Sequence, residues 1–230
     1  MGLMNFVPAS VKGSLRFARG LHSDFYPFGF AMNGQTARLE AVRQISYKCG
    51  IRSIIETGTF RGTTTEWLAG FGVPVITIES HAPTFEFAVR RLRRFKNVSV
   101  RLGSSSDILP DYLPSVGRTT STMIYLDAHW EGHLPLAEEL AAICRWLDRF
   151  VVVVDDFEVP GDPGYAFDNY GPGKTLTAGY LDSCAGRGLA RFYPSVPSKE
   201  ETGIRRGWIV LTRDAAFIET LSTIALLRQL

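Results

Sequence analysis

Five short and almost wholly apolar runs, SIIETG, VPVITIES, VSVRLG, TMIYLDA and FVVVVDDF, recur along residues 53–157, and a helical segment follows each. The helical pattern is clearest in TFEFAVRRLRRF and LPLAEELAAICRWL. A strand with one wet face would alternate apolar and polar residues. These runs do not, so both of their faces must be covered, which is the mark of a parallel sheet between two layers of helices.

The flanking regions break this rhythm. Residues 1–33 read as an irregular arm or lid, rich in Gly, Pro and aromatics, before the helix GQTARLEAVRQISYKCG, which stops at Gly50. Residues 158–174, EVPGDPGYAFDNYGPGK, hold too much Gly, Pro and Asp for a regular element and too many aromatics for a passive linker. They read as a lid over a substrate. A helix (TLTAGYLDSCAGRG), two strands (LARFYPS and GWIVLTR) and a terminal helix complete the chain. The connection VPSKEETGIRRG is too short and too polar for a crossover helix, so these last strands are expected to pair antiparallel. The expectation is a single domain over residues 1–230 with a seven-stranded, mostly parallel sheet.

Length and composition suit one soluble domain: 230 residues, 45% hydrophobic and 21% charged. A net charge of +2 argues against a dedicated nucleic-acid binder. Cys49, Cys144 and Cys184 are far apart, without zinc spacing, and read as reduced thiols of a cytoplasmic protein. No apolar run reaches the roughly 20 residues of a membrane span. Assembly into a homo-oligomer is left open.

The chemistry concentrates where the runs end. Glu56-Thr-Gly58-Thr-Phe60-Arg-Gly62 closes the first run. Glycines here permit a tight turn and close approach of a ligand to the backbone. A dinucleotide site would need GxGxxG; ExGxxxG instead sets an acid beside the turn, which suits a cationic ligand. An ordinary strand-to-helix turn is the alternative. Glu79 ends the second run, where a carboxylate can accept from both hydroxyls of a ribose; otherwise it is a solvated strand-end acid. Ser104, Ser105 and Ser106 follow the third run and either line an adenine pocket or cap the next helix. Asp127 ends the fourth run, in YLDAHW, and Asp155 and Asp156 end the fifth. Parallel strand ends are neighbours, so three carboxylates converge. A hard divalent cation such as Mg²⁺ would relieve their repulsion. Without one, Asp127 contacts substrate or cofactor and Asp156 caps a loop.

Residues 50–157 resemble the class I methyltransferases, in particular catechol O-methyltransferase and its metal-dependent relatives, including sugar O-methyltransferases of antibiotic pathways. The resemblance implies a Rossmann-like fold and an S-adenosylmethionine cofactor. By motif, Glu56, Gly58, Phe60, Gly62 and Thr64 match the cofactor's methionine end, Glu79 its ribose, Ser105 and Ser106 its adenine. Asp127 matches a cofactor-side position, and Asp127, Asp155 and Asp156 the Mg²⁺ ligands. The catechol enzyme follows its aspartate with His-Trp-Lys, the lysine acting as base. Here Ala128 intervenes and Glu131 stands in the lysine's place, so His129 becomes the candidate base, with Asp127 beside it as a catalytic residue. Packing of His129 near adenine is the alternative. A small-molecule hydroxyl is the implied acceptor, with contacts from residues 1–33 and 158–174.

Three motifs are set aside. Residues 168–175 imitate a P-loop, but Asp168 replaces its first glycine and no apolar strand precedes it. His129 and His133 have zincin spacing, but Gly132 argues against the required helix. The basic run Arg90, Arg91, Arg93, Arg94 and Lys96 reads as a solvated helix face.

Overall fold

The computed structural model describes residues 8–18, 29–130 and 132–230. The five apolar runs form β1 (Ser53–Thr57), β2 (Val75–Glu79), β3 (Val98–Leu102), β4 (Thr122–Leu126) and β5 (Phe150–Asp155). All but β3, which lies at the sheet edge, are buried along their whole length. Successive strand residues face opposite sides. Met123, Tyr125, Val151 and Val153 therefore join one core, and Ile124, Leu126, Val152 and Val154 the other. Helices α2 (Thr36–Lys48), α3 (Thr63–Ala69) and α8 (Ala215–Ser222) cover the first core; α5 (Ser105–Val116), α6 (Leu136–Trp146) and α7 (Ala178–Asp182) cover the second.

The strand order is β3-β2-β1-β4-β5-β7-β6-β8, with β6 at Ala190–Pro194, β7 at Trp208–Thr212 and β8 at Leu227–Gln229. Strands β1 to β5 run parallel, and β7 enters antiparallel between β5 and β6. The order reverses between β1 and β4, which opens a crevice at the carboxyl ends of the strands. Thr57 is in register with Leu126 and Leu126 with Val154. Gly58, Asp127 and Asp155 therefore emerge at one level on that edge.

Two expectations are corrected. The sheet has eight strands rather than seven, because the terminal helix stops at Ser222 and residues 227–229 pair with β6. Strand β8 covers backbone groups that β6 would otherwise leave unpaired at the edge. The N-terminal arm is not wholly irregular either. Ala9–Ala18 form helix α1, packed on α4 (Ala82–Leu92), with the Phe17 and Phe87 rings edge to face at 5.4 Å. Gly13 permits this contact, since a Cβ there would lie 2.6 Å from the Glu86 Cβ. The rest of that arm, residues 1–7 and 19–28, lies outside the described residues, as does Glu131. Among the described residues, no helix is long and apolar enough to cross a membrane.

The entry to α2 positions the site from afar. Glu201, in the loop between β6 and β7, accepts from the Ala37 and Arg38 backbone N–H groups at 3.1 and 3.2 Å. A carboxylate at this end also opposes the helix dipole favourably. The contact fixes the first turn of α2, and with it the side chain of Arg38.

Candidate active site

The first β-strand ends in a turn that only glycine permits at its centre. Gly58 has φ +79°, and a Cβ there would stand 2.0 Å from the Asp127 carbonyl oxygen. This absence of a side chain lets the β1 turn lie against the end of β4. Gly62, at φ +75°, opens α3. Phe60 lies between them with its ring partly exposed and its N–H donating to Glu79 Oε2 at 2.7 Å. The other Glu79 oxygen accepts from the His81 N–H at 2.8 Å. Burial raises the Glu79 pKa, and these backbone donors oppose the rise. Glu79 thus ties β2 to the glycine turn, at the crevice where the ribose contact is expected.

Glu56 is more deeply set. Its carboxylate accepts from Thr77 Oγ1 at 2.6 Å and from the Thr65 hydroxyl. Burial pushes its pKa up to about 7 despite both hydroxyls. Thr64 Oγ1 instead accepts from the Met32 N–H at 3.2 Å, holding the 3₁₀ turn Ala31–Gly34 over α3. Ser105 is buried in the first turn of α5, while Ser106 is half-buried and bonded to Ser104 at 2.7 Å.

Beneath the crevice, Thr57 Oγ1, Ser105 Oγ and Glu139 Oε1 are buried with no hydrogen bond of good geometry. Burial raises the Glu139 pKa, opposed by the neighbouring Ser105 and Thr57 hydroxyls and by His129.

The ends of β4 and β5 form an acidic centre, though not with the expected membership. Asp127, His129 and Asp156 each offer a ligand atom, all within 4.8 Å of one another. His129 Nε2 lies 3.7 Å from Asp127 Oδ1 and 3.6 Å from Asp156 Oδ2. The imidazole is buried and Nε2 has no hydrogen-bond partner. Asp155 does not join them. Its Oδ1 takes Arg38 Nη1 and the Asp156 N–H, each at 2.7 Å, and its Oδ2 takes the Tyr125 hydroxyl at 2.7 Å. Arg38 is fully buried, donates also to Gln35 and to the Tyr125 oxygen, and stacks on Tyr125 and Trp208.

Asp156 adopts φ +54°, a left-handed conformation that costs a non-glycine residue energy and concentrates at functional sites. It turns the side chain away from Asp155, toward His129 and Arg206. Arg206 pairs with both Asp156 and Asp168. Loss of solvation in the crevice and the charges of Asp155 and Asp156 raise the Asp127 pKa, the neighbouring charges being the firmer cause because the side chain is 37% exposed. Burial would lower that of His129, but Asp156, Asp155 and Asp168 outweigh it and the net shift is upward. For Asp155, Arg38 and its hydrogen bonds overcome burial and hold the pKa below the ordinary value.

Residues 158–176 cross this centre on main-chain hydrogen bonds. The Asp168 N–H donates to the Asp156 carbonyl at 2.9 Å, and Ala166 exchanges bonds with Arg205 and Gly207 at 2.8 Å. The Tyr170 ring stands edge-on to His129, centroids 6.0 Å apart, and its hydroxyl bonds Asp168. Within this segment, Asn169 and Thr175 form an antiparallel bridge, so the P-loop imitation is a small hairpin. His133 pairs back to Trp130 before α6 begins, so the two histidines share no helix. Arg91 and Arg94 of the basic run pair with Glu66 on α3.

Sequence reasoning missed Arg38, Arg206 and Glu139. Two of them carried a readable signal. The buried positions of α2 are Arg38, Ala41, Val42 and Ile45, and those of α6 include Leu136, Glu139, Leu140 and Ile143. A charge within an i, i+3, i+4, i+7 apolar stripe, at i for Arg38 and at i+3 for Glu139, must be buried, and therefore matched. Arg206 sits in an irregular loop and carried no such signal.

No family model matches the chain, and no curated protein matches it. Solved structures do match. The O-methyltransferase TomG from Streptomyces achromogenes, involved in tomaymycin synthesis and determined with SAM, is 20% identical, with 91% of each chain covered and a TM-score of 0.60. An O-methyltransferase from Bacillus cereus in complex with SAH is 18% identical over 90% of this chain and 93% of that one, TM-score 0.53. CalS10, an amino pentose methyltransferase from Micromonospora echinaspora, is 17% identical over 77% and 89%, TM-score 0.52. The chain has the class I methyltransferase fold.

Proposed function

We propose that this chain is an S-adenosylmethionine-dependent methyltransferase that methylates a hydroxyl of a small molecule, assisted by a divalent cation. The observation that carries the reading is the shared crevice: an ExGxxxG turn with Glu79 on one side of the β1–β4 switch point and a cluster of acids on the other. Adenosylmethionine supplies an electrophilic methyl group, and a divalent cation lowers the pKa of an acceptor hydroxyl.

The residues fit both groups. Gly58 and Gly62 leave the backbone open, Phe60 and Thr64 face the methionine end, Glu79 the ribose, and Ser105 and Ser106 the adenine. Glu56 adds a buried acid to a site for a sulfonium ligand. At the centre, four carboxylates (Asp127, Asp155, Asp156, Asp168) face two guanidinium groups, from Arg38 and Arg206. The two negative charges left over match one divalent cation, with His129 neutral. Asp127 and Asp156 carry carboxylate oxygens for it, and residues 158–174 contact the acceptor and exclude water.

A second reading has an observation in its favour. Both Asp155 and Asp156 already hold arginine partners, and the His129 pKa is raised. Without a cation, His129 is the proton acceptor for the hydroxyl and solvent completes the relay. Calorimetry with adenosylhomocysteine and NAD tests the cofactor: binding of the first and not the second supports the proposal, and no heat with the first on folded protein refutes it. Transfer of a labelled methyl to a panel of catechols, sugars and polyketide glycosides, with and without chelator, separates the two mechanisms.

A further inference from the structure

The buried imidazole nitrogen of His129, aimed between two carboxylates and left without a partner, has a consequence for which ion the centre takes. We propose that the cation centre is formed by Asp127, His129 and Asp156, with Asp155 withheld, so that it prefers an imidazole-accepting first-row ion over Mg²⁺. This rests on the cation-assisted reading above and departs from the three-aspartate set that the family resemblance implies.

Asp155 is unavailable because of its neighbours. Both of its oxygens are taken, by Arg38, by the Asp156 N–H and by Tyr125, and the side chain is 3% exposed. To ligate, it would have to leave a fully buried guanidinium without its counter-charge. Arg38 cannot follow, since Gln35 and the Tyr125 oxygen also hold it and its guanidinium lies 5.4 and 5.8 Å from the Tyr125 and Trp208 ring centres.

His129 meets the opposite conditions. Its Nε2 is buried, has no partner, and stands 3.6–3.7 Å from one oxygen of each flanking aspartate. An ion about 2.1 Å from each donor needs neighbouring donors roughly 3.0–3.4 Å apart; the two His129 distances need only a small contraction, and the donor set as a whole, within 4.8 Å, must close further around the ion. Asp156 presents its Oδ2 alone, because Oδ1 is held by Arg206. The left-handed backbone at Asp156 makes this possible, swinging its carboxylate off the Asp155 side. One ring nitrogen and two single carboxylate oxygens form a mixed donor set. Mg²⁺ favours oxygen donors and water, whereas imidazole suits the borderline first-row ions.

The test uses the full-length protein and Mn²⁺ as a paramagnetic probe. Three-pulse electron spin echo modulation of Mn²⁺-loaded protein should show coupling to an imidazole ¹⁴N, and a roughly 100-fold excess of Mg²⁺ should not displace the ion. His129→Ala should abolish that coupling and weaken Co²⁺ and Mn²⁺ binding by about 10–100-fold or more. Asp155→Asn should keep the coupling, because Asp155 holds the Asp156 backbone and not the ion, with affinity lowered by no more than about 10–100-fold. The wild-type spectrum stands even if that variant folds poorly. Bound Mn²⁺ without nitrogen coupling, or ready displacement by Mg²⁺, overturns the ligand set and leaves the cation reading intact. Failure to bind Mn²⁺ or Co²⁺ at all overturns both, while adenosylhomocysteine binding reports separately on the methyltransferase reading.

Discussion

Replacing Arg38 by Met should destabilise the protein far more than a typical substitution, and the reason lies in what it leaves behind. Met fills much of the volume of the arginine stem, so the cavity term is small. The Asp155 carboxylate, 2% exposed, loses its ion pair at 2.7 Å and keeps only the Tyr125 hydroxyl and the Asp156 N–H. Breaking a buried pair by removing one partner costs about 3–5 kcal/mol. For a chain of this size that is on the order of 10 °C in melting temperature.

The pH dependence has a definite sign. In the wild type, Asp155 has a lowered pKa, so its contribution is present above the unfolded value near 4 and fades as pH falls through the folded value. In Arg38→Met, burial is opposed only by the Tyr125 hydroxyl and the Asp156 N–H, and the Asp155 pKa rises. A raised carboxyl pKa favours the fold at low pH and is a liability once pH passes it. The gap between variant and wild type should therefore widen from pH 4 to pH 7. Urea denaturation across that range measures it. Arg38→Met with Asp155→Asn should recover a coupling energy of about 2–3 kcal/mol relative to the sum of the single changes. A loss below about 1 kcal/mol for Arg38→Met, or strict additivity in the double variant, would refute the pairing argument.

Gly58→Ala should cost several kcal/mol, on the order of 1–2 from the left-handed backbone and the rest from the clash with the Asp127 carbonyl; a thermal melt unchanged within 2–3 °C would contradict the close approach. Glu79→Ala should weaken adenosylhomocysteine binding by about 1–3 kcal/mol in calorimetry, because the Phe60 and His81 N–H groups lose their acceptor at the cofactor edge. Glu56, with a pKa near 7 in the free protein, should release a proton when a sulfonium ligand binds nearby. Affinity for adenosylmethionine should accordingly rise as pH increases from about 5.5 to 7 and then level, and Glu56→Gln should remove that slope; a flat wild-type profile would count against the contact. Trimming Tyr170 to Phe frees Asp168 from one donor and should leave cofactor binding unchanged while altering the acceptor KM, as read by labelled-methyl transfer.

How much of this was legible in the chain divides along a physical line. Strands β1, β2, β4 and β5 were readable because a strand covered on both faces must be apolar throughout, and the acid at the end of each of these runs marks where it reaches the crevice. Glu56, Glu79, Asp127 and Asp155 all stand at such ends. Helix α1 was not readable. Gly13 looks like a helix breaker locally, yet it is the contact point with α4, a property of the tertiary packing. Strand β8 is three residues long and exists only because β6 offers an open edge. Neither has a local signature strong enough to compete with a helix or loop.

The acidic centre shows a subtler limit. Topology alone brings Asp127, Asp155 and Asp156 to one edge, and repulsion among three carboxylates then argues for a counter-cation. Topology does not place the arginines that face these acids. Arg38 arrives from α2, which precedes β1, and Arg206 from a loop fifty residues after Asp156, and between them they cancel half of the charge, counting Asp168. What they leave is two negative charges around one buried, unpartnered imidazole. One divalent ion satisfies both the charge and the nitrogen at once. A protonated His129 satisfies only part of the charge, and it leaves an N–H donor with no acceptor closer than 3.6 Å. Under the cation-assisted proposal, a bound ion would give every charged group at the ends of β4 and β5 a partner.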